Sequence, residues 1–358
     1  MQEPLETEGK NIFWIHYIRA VVALGVILVH VAADVITEWG VLPQGWWWSA
    51  NIYDSLARGC VPVFIMVSGA LLLPVQEGSR DFFSKRLKRI FIPFMVWSLL
   101  YLVWKKIFFI PDMTLMTALE KMLTANVCFH LWFFYVLTGM YLMTPLLRIL
   151  AQHATRRDIL YFLVLWFMAG SLAPFIYKIT AMYGHPLPRI NLYLEPVTGF
   201  IGYFVLGHFI RQHALPSWRN GAWIIWALTL LSCAVGTGML AQRFNSFKEA
   251  FYDNMAPNIV FYCASFFIWV KLFLSPSPKA IHPGVEKIVV WLSRASLGIY
   301  LIHPMVLDIM EKGRLGFVLK PVSAHPAVMI PLLAGTGYLA SFLAVSALQR
   351  IPVLRKIV

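Results

Sequence analysis

Arg19-Ala-Val-Val-Ala-Leu-Gly-Val-Ile-Leu-Val-His30 is an uncharged, proline-free run bounded by an arginine and a histidine. The apolar character continues on both sides, so the stretch 12–35 reads as one helix of membrane length. Eleven residues make about 3.06 turns and rise roughly 16.5 Å, which sets Arg19 and His30 on nearly the same face at two depths. Ionisable groups are costly in hydrocarbon, so such a pair on a first span marks a functional site, unless Arg19 snorkels to the inner headgroups and His30 anchors at the outer interface.

Outward from that helix the pattern repeats. The chain has 358 residues, of which 59% are hydrophobic and only 13% charged, well outside the range of a soluble domain. About ten apolar stretches approach spanning length: 12–35, 51–73, 90–110, 127–147, 159–181, 196–212, 221–242, 257–275, 286–307 and 327–348. The sixth is short, and the ninth is expected to be interrupted at His303-Pro304. The fold class is therefore all-α: a polytopic helical membrane bundle, expected to form one domain over 1–358 with no fused soluble domain. An acidic N-terminus (Glu3, Glu6, Glu8), with no small-residue cleavage pattern after the first span, argues that this span is retained. With the N-terminus inside, Lys and Arg are in excess on the cytoplasmic side and both termini are cytoplasmic. The net charge of +13 follows from that distribution and does not imply a nucleic-acid partner. Cys60, Cys128, Cys233 and Cys263 stand singly in apolar surroundings, which gives neither a disulfide framework nor a zinc motif. No metal site is expected.

Several polar positions are not explained by membrane residence. Ser68-Gly69 offers a small surface for close helix or ligand approach, and Ser68 lacks a partner arrangement that would mark a nucleophile. Arg86 and Arg89, within Lys85-Arg86-Leu87-Lys88-Arg89, are spaced to share a helix face and grip phosphate at the inner surface; the same run also serves as a positive-inside anchor. His130 and Trp132 open the fourth span at the depth of His30, either as an interfacial belt or as a wall of a sugar cleft. Tyr300 and His303 bring a third histidine to that level, beside a proline. Asp34, one turn beyond His30, either orients its ring or is an exposed acid. Glu195 has no local partner and no assigned role.

Taken in order, Arg19-x10-His30, Phe64-Ile-Met-Val-Ser68-Gly69, Arg86-x2-Arg89, Phe129-His130-Leu131-Trp132-Phe133 and Ser296-Leu-Gly-Ile-Tyr300-Leu-Ile-His303-Pro304 resemble the acyltransferase-three family of membrane O-acyltransferases. The resemblance covers essentially the whole chain. It implies an enzyme of the bacterial inner membrane that moves acetyl from cytoplasmic acetyl-CoA, a co-substrate, to a hydroxyl of a surface glycan or lipid-linked oligosaccharide, with no tightly bound cofactor. It nominates His30 and Arg19 as the catalytic pair and Arg86 and Arg89 as acyl-donor contacts. Ser68, His130, Trp132, Tyr300, His303, Asp34 and Glu195 remain acceptor or cavity candidates. The stretch Asn191 to Gly207 is similar to the branch that includes the enterobacterial common antigen O-acetyltransferase. Histidine suits the role of base because its ordinary pKa lies near operating pH. Without these motifs, intramembrane Arg and His in a polytopic bundle would point first to a transporter of lipid-linked sugars or acids.

Overall fold

The computed structural model describes residues 12–188, 194, 198–275, 281–314, 316 and 318–358, the Leu87 side chain excepted. Among these the chain is helical throughout: α1 (Phe13–Ile36), α2 (Gln44–Ala57), α3 (Cys60–Leu72), α4 (Ser79–Arg86), α5 (Ile92–Phe108), α6 (Leu115–Leu123), α7 (Trp132–His153), α8 (Arg156–Phe167), α9 (Ala173–Met182), α10 (Ile201–His213), α11 (Trp218–Phe244), α12 (Pro257–Leu274), α13 (Pro283–Glu311) and α14 (Pro326–Leu348). Several join end to end, so that nine helical segments of the described residues are long and apolar enough to cross a membrane. The chain is a multi-pass membrane protein.

Its surface fits a lipid solvent. Leu99, Val103 and Ile107 of α5, Leu228 and Leu231 of α11 and Trp291 of α13 all point outward, an arrangement that would be an aggregation liability in water. The centre is occupied by α1, which packs against α2, α3, α12, α13 and α14. Ile18, Ile27, Val31, Ala32 and Val35 are completely enclosed there.

The sixth expected span differs from its reading. α10 has only 13 residues, a rise of about 20 Å, and is not among the nine spanning segments. Nine of its residues, from Ile201 to Ile210, are buried, so protein surrounds it. Its seat is a backbone-to-backbone crossing with α3. A Cβ on Gly69 would lie 1.8 Å from the Phe204 carbonyl oxygen, and one on Gly207 would lie 2.0 Å from that of Met66. Neither neighbour can yield, since both atoms are main chain. Gly207→Ala is therefore expected to destabilise the protein by about 1–3 kcal/mol, the usual range for overpacking, seen as a lower unfolding midpoint in detergent. An unchanged midpoint would show that the crossing is loose.

Prolines shape the long helices in two ways. A π-helical turn, Leu87–Phe91, links α4 to α5, and another, Met168–Leu172, links α8 to α9. Each is followed two residues later by a proline, Pro93 and Pro174, whose missing N–H withdraws one i→i−4 bond and favours the wider turn. In α13 the expected interruption at Pro304 does not occur: the helix runs unbroken through it, because neighbouring side chains satisfy the carbonyls there.

Candidate active site

His30 lies six residues before the end of α1, half-buried, with its ring against Phe129 at 4.6 Å and stacked on His303 at 5.4 Å, 17° between planes. His130 meets His303 edge-on at 5.3 Å and also touches Tyr101 and Tyr300. Three spans thus deliver three imidazoles to one place. The Tyr300 hydroxyl donates to the His130 carbonyl at 2.5 Å, and the Tyr101 hydroxyl donates to the Leu301 carbonyl at 2.7 Å. These two bonds tie α5, the segment before α7, and α13 together around the histidines. Among the described residues no three His, Cys, Asp or Glu side chains are grouped to hold a metal ion.

Beside this cluster stands a charged pair that the sequence analysis does not single out. Arg58, immediately after α2, bonds Asp54 at 2.5 and 2.6 Å and lies 4.4 Å over the Tyr252 ring. Asp54 is completely buried and its Oδ2 has no partner among the described residues. The Tyr252 hydroxyl in turn bonds Asn51, and Ser55 donates to it at 3.3 Å. Arg58 is near enough to His30 for their charges to interact. The local signal was available: an acid and an arginine four apart within an apolar stretch share a helix face.

At the other end of α1, Arg19 is half-buried, and the guanidiniums of Arg86, Arg89 and Arg19 all act electrostatically on the Tyr141 hydroxyl of α7. The structure therefore brings the three arginines to one neighbourhood. The face-sharing expected of Arg86 and Arg89 is altered, because the π turn begins directly after Arg86 and contains Arg89, and in a wider turn each residue advances by a smaller angle, which leaves i+3 off the face of i. Arg86 also joins Glu77 at 3.6 Å, where Lys85 (2.9 Å) and Arg148 (3.1 Å) converge on the same carboxylate. Arg148 adds a bond to the Leu72 carbonyl at 2.9 Å and lies 4.6 Å over Phe82.

Burial opposes ionisation of Glu77, but hydrogen bonds from Lys85 and Arg148 and the charge of Arg86 outweigh it and hold its carboxyl below the usual glutamate value. A carboxyl lowered by folding stabilises fully above its unfolded pKa, and that contribution is lost as pH falls through the lower folded value. The native protein is thus expected to lose stability more steeply than Glu77→Gln below about pH 4.5, the ordinary value, in denaturation curves measured across pH. Parallel curves would refute the assignment.

The other nominated residues fall outside the histidine cluster. The Ser68 hydroxyl bonds the Phe64 carbonyl at 3.1 Å, consistent with a packing role. Trp132 packs on Phe200 at 5.6 Å. Asp34 is exposed and makes no hydrogen bond to His30; its charge interacts with Lys312, Lys320 and Glu311. Glu195 lies outside the described residues. Two open surface depressions, of about 420 Å³ beside Lys178 and Lys248 and about 330 Å³ beside Trp97 and Trp104, are lined by none of the three histidines.

The sequence profile of the acyltransferase-three family, described as an acyltransferase domain, matches residues 12–348. The chain belongs to the acyltransferase-three family. It is accordingly a membrane acyltransferase, and the match runs from the start of α1 to the end of α14, so it includes both the histidine cluster and Arg19, Arg86 and Arg89. No curated protein and no solved structure matches the chain.

Proposed function

We propose that this acyltransferase moves acetyl from cytoplasmic acetyl-CoA to a hydroxyl of a bacterial cell-surface carbohydrate, with His30 as general base, in the inner membrane. The observation that carries the reading is α1 itself. One central helix links an arginine neighbourhood (Arg19, with Arg86 and Arg89 about Tyr141) to a histidine cluster (His30, His130, His303), about 16.5 Å apart by helical rise. The nucleotide phosphates bind Arg86 and Arg89, where charge-assisted bonds are strongest, and the pantetheine arm passes Arg19 toward His30.

In the chemical step the acceptor oxygen attacks the thioester carbonyl while its proton moves to His30. The C–S bond breaks, and the leaving thiolate takes that proton back, so the histidine is regenerated and no net proton is consumed. Arg58, held by Asp54 and Tyr252, contributes fixed positive charge for the developing oxyanion. Transfer through a covalent acyl-enzyme is the alternative route, detected as labelled protein after incubation with radiolabelled acetyl-CoA. The narrower likeness to the enterobacterial common antigen branch rests on Asn191 to Gly207 and suggests a lipid-linked or envelope glycan as acceptor.

Purified protein in detergent, acetyl-CoA and a panel of glycans test the reading through release of free CoA. Arg89→Ala is expected to raise the donor KM by about tenfold or more, the worth of a charge-assisted hydrogen bond, with kcat near native. Vectorial movement of an unmodified glycan in vesicles, without acceptor-dependent CoA release, would favour a transporter instead.

A further inference from the structure

A proline inside a helix lacks the N–H owed to the carbonyl four residues back. For Pro304 that carbonyl belongs to Tyr300, and α13 is continuous through both. The Tyr300 oxygen instead pairs with Nδ1 of His303 at 2.7 Å. A carbonyl only accepts, so the hydrogen sits on Nδ1, which in a neutral imidazole leaves Nε2 as a bare acceptor. His303 is completely buried, and its Nε2 has no partner among the described residues. This ring is the one stacked on His30.

Resting on the acyl-transfer reading above, we propose that Pro304 is a positioning residue: it fixes His303 in the Nδ1-protonated form, so that Nε2 receives a hydrogen bond from a second hydroxyl of the acceptor, adjacent to the one that His30 activates. A hydroxyl carries a single hydrogen. Once His30 takes that of the reacting group, a hydroxyl that donates to His303 Nε2 has to be a second one. The acceptor class is then a diol or polyol with neighbouring hydroxyls, as on a sugar ring, and not a lone alcohol. His130 closes the same enclosure: it is 1% exposed and its ring stands against Tyr101, Tyr300 and His303. A buried acceptor left without a donor is costly, so His303 Nε2 suits a ligand that brings a hydroxyl of its own.

The test separates this proposal from the reaction it rests on. Pro304→Ala restores the backbone N–H, which competes with His303 for the Tyr300 carbonyl; removal of a helix-interior proline does not weaken a helix, so the variant is expected to unfold no earlier than the native protein. In nitrogen-15 spectra of histidine-labelled protein, with the His303 signal identified by its loss in His303→Gln, native His303 is expected to show an unprotonated Nε2 and Pro304→Ala a mixture of tautomers. With methyl glycosides and their single-deoxy analogues as acceptor probes, the native enzyme is expected to prefer the diol about tenfold, one hydrogen bond's worth. Pro304→Ala should lose that preference at unchanged donor KM. A protonated Nε2 in the native protein, or a preference retained in Pro304→Ala, overturns the proposal. Absence of CoA release with every glycoside would overturn the acyl-transfer reading and the diol with it, while the spectra still decide the tautomer.

Discussion

His30→Ala is expected to lower acceptor-dependent CoA release by about a hundred- to ten-thousand-fold, the range for loss of a positioned general base. The arrangement around the ring explains why nothing substitutes for it. Phe129 and His303 bound it on two sides, and His303 Nδ1 is committed to Tyr300. Binding of CoA, measured directly by calorimetry, should persist in the variant, because Arg86 and Arg89 lie at the opposite end of α1's arginine-to-histidine interval. A variant that keeps its kcat would remove His30 from the chemistry. One that loses CoA binding as well would indicate that the substitution disturbs α1 as a whole.

Asp54→Ala is expected to destabilise the fold by about 3–5 kcal/mol, the cost of leaving one member of a buried ion pair uncompensated. Asp54 is fully enclosed and the Arg58 side chain is 23% exposed, and among the described residues the remaining neighbours of the guanidinium offer a ring face but no second carboxylate. Replacing both partners by apolar residues, Asp54→Leu with Arg58→Met, should recover most of the stability, since the pair's net worth against hydrophobic packing is small. Activity should not return with it, because the positive charge beside His30 is gone. Unfolding in denaturant and CoA release, measured on the same preparations, separate the two effects. A single variant that costs under about 1 kcal/mol would mean that Arg58 finds other solvation and that the pair is not structurally required.

What could be read in advance follows the range of the interactions concerned. Arg19 and His30 lie on one uninterrupted helix, so their face and depth follow from spacing alone, and the structure keeps both within α1. The meeting of His130 and His303 with His30 is tertiary. Spacing within single spans placed them at one depth and gave no information on their separation. Pro304 was misjudged as a break for a related reason: whether a proline interrupts a helix depends on who satisfies the freed carbonyl, and here His303 and Tyr101 serve neighbouring positions. The geometry of Arg86 and Arg89 changed because Pro93, four residues after Arg89, widens the turn between them. The Asp54–Arg58 pair is legible at i, i+4, because its partners sit one turn apart on a single helix face.

The short α10 also bears on how the protein is made. A segment of 13 residues is well below the roughly 20 needed to partition into a bilayer by itself, and its approach to α3 depends on contacts that exist only when that partner is already present. It cannot be threaded into the membrane as an independent stem and docked afterwards. Its entry is therefore expected to follow that of α3, whose Met66 and Gly69 form its seat.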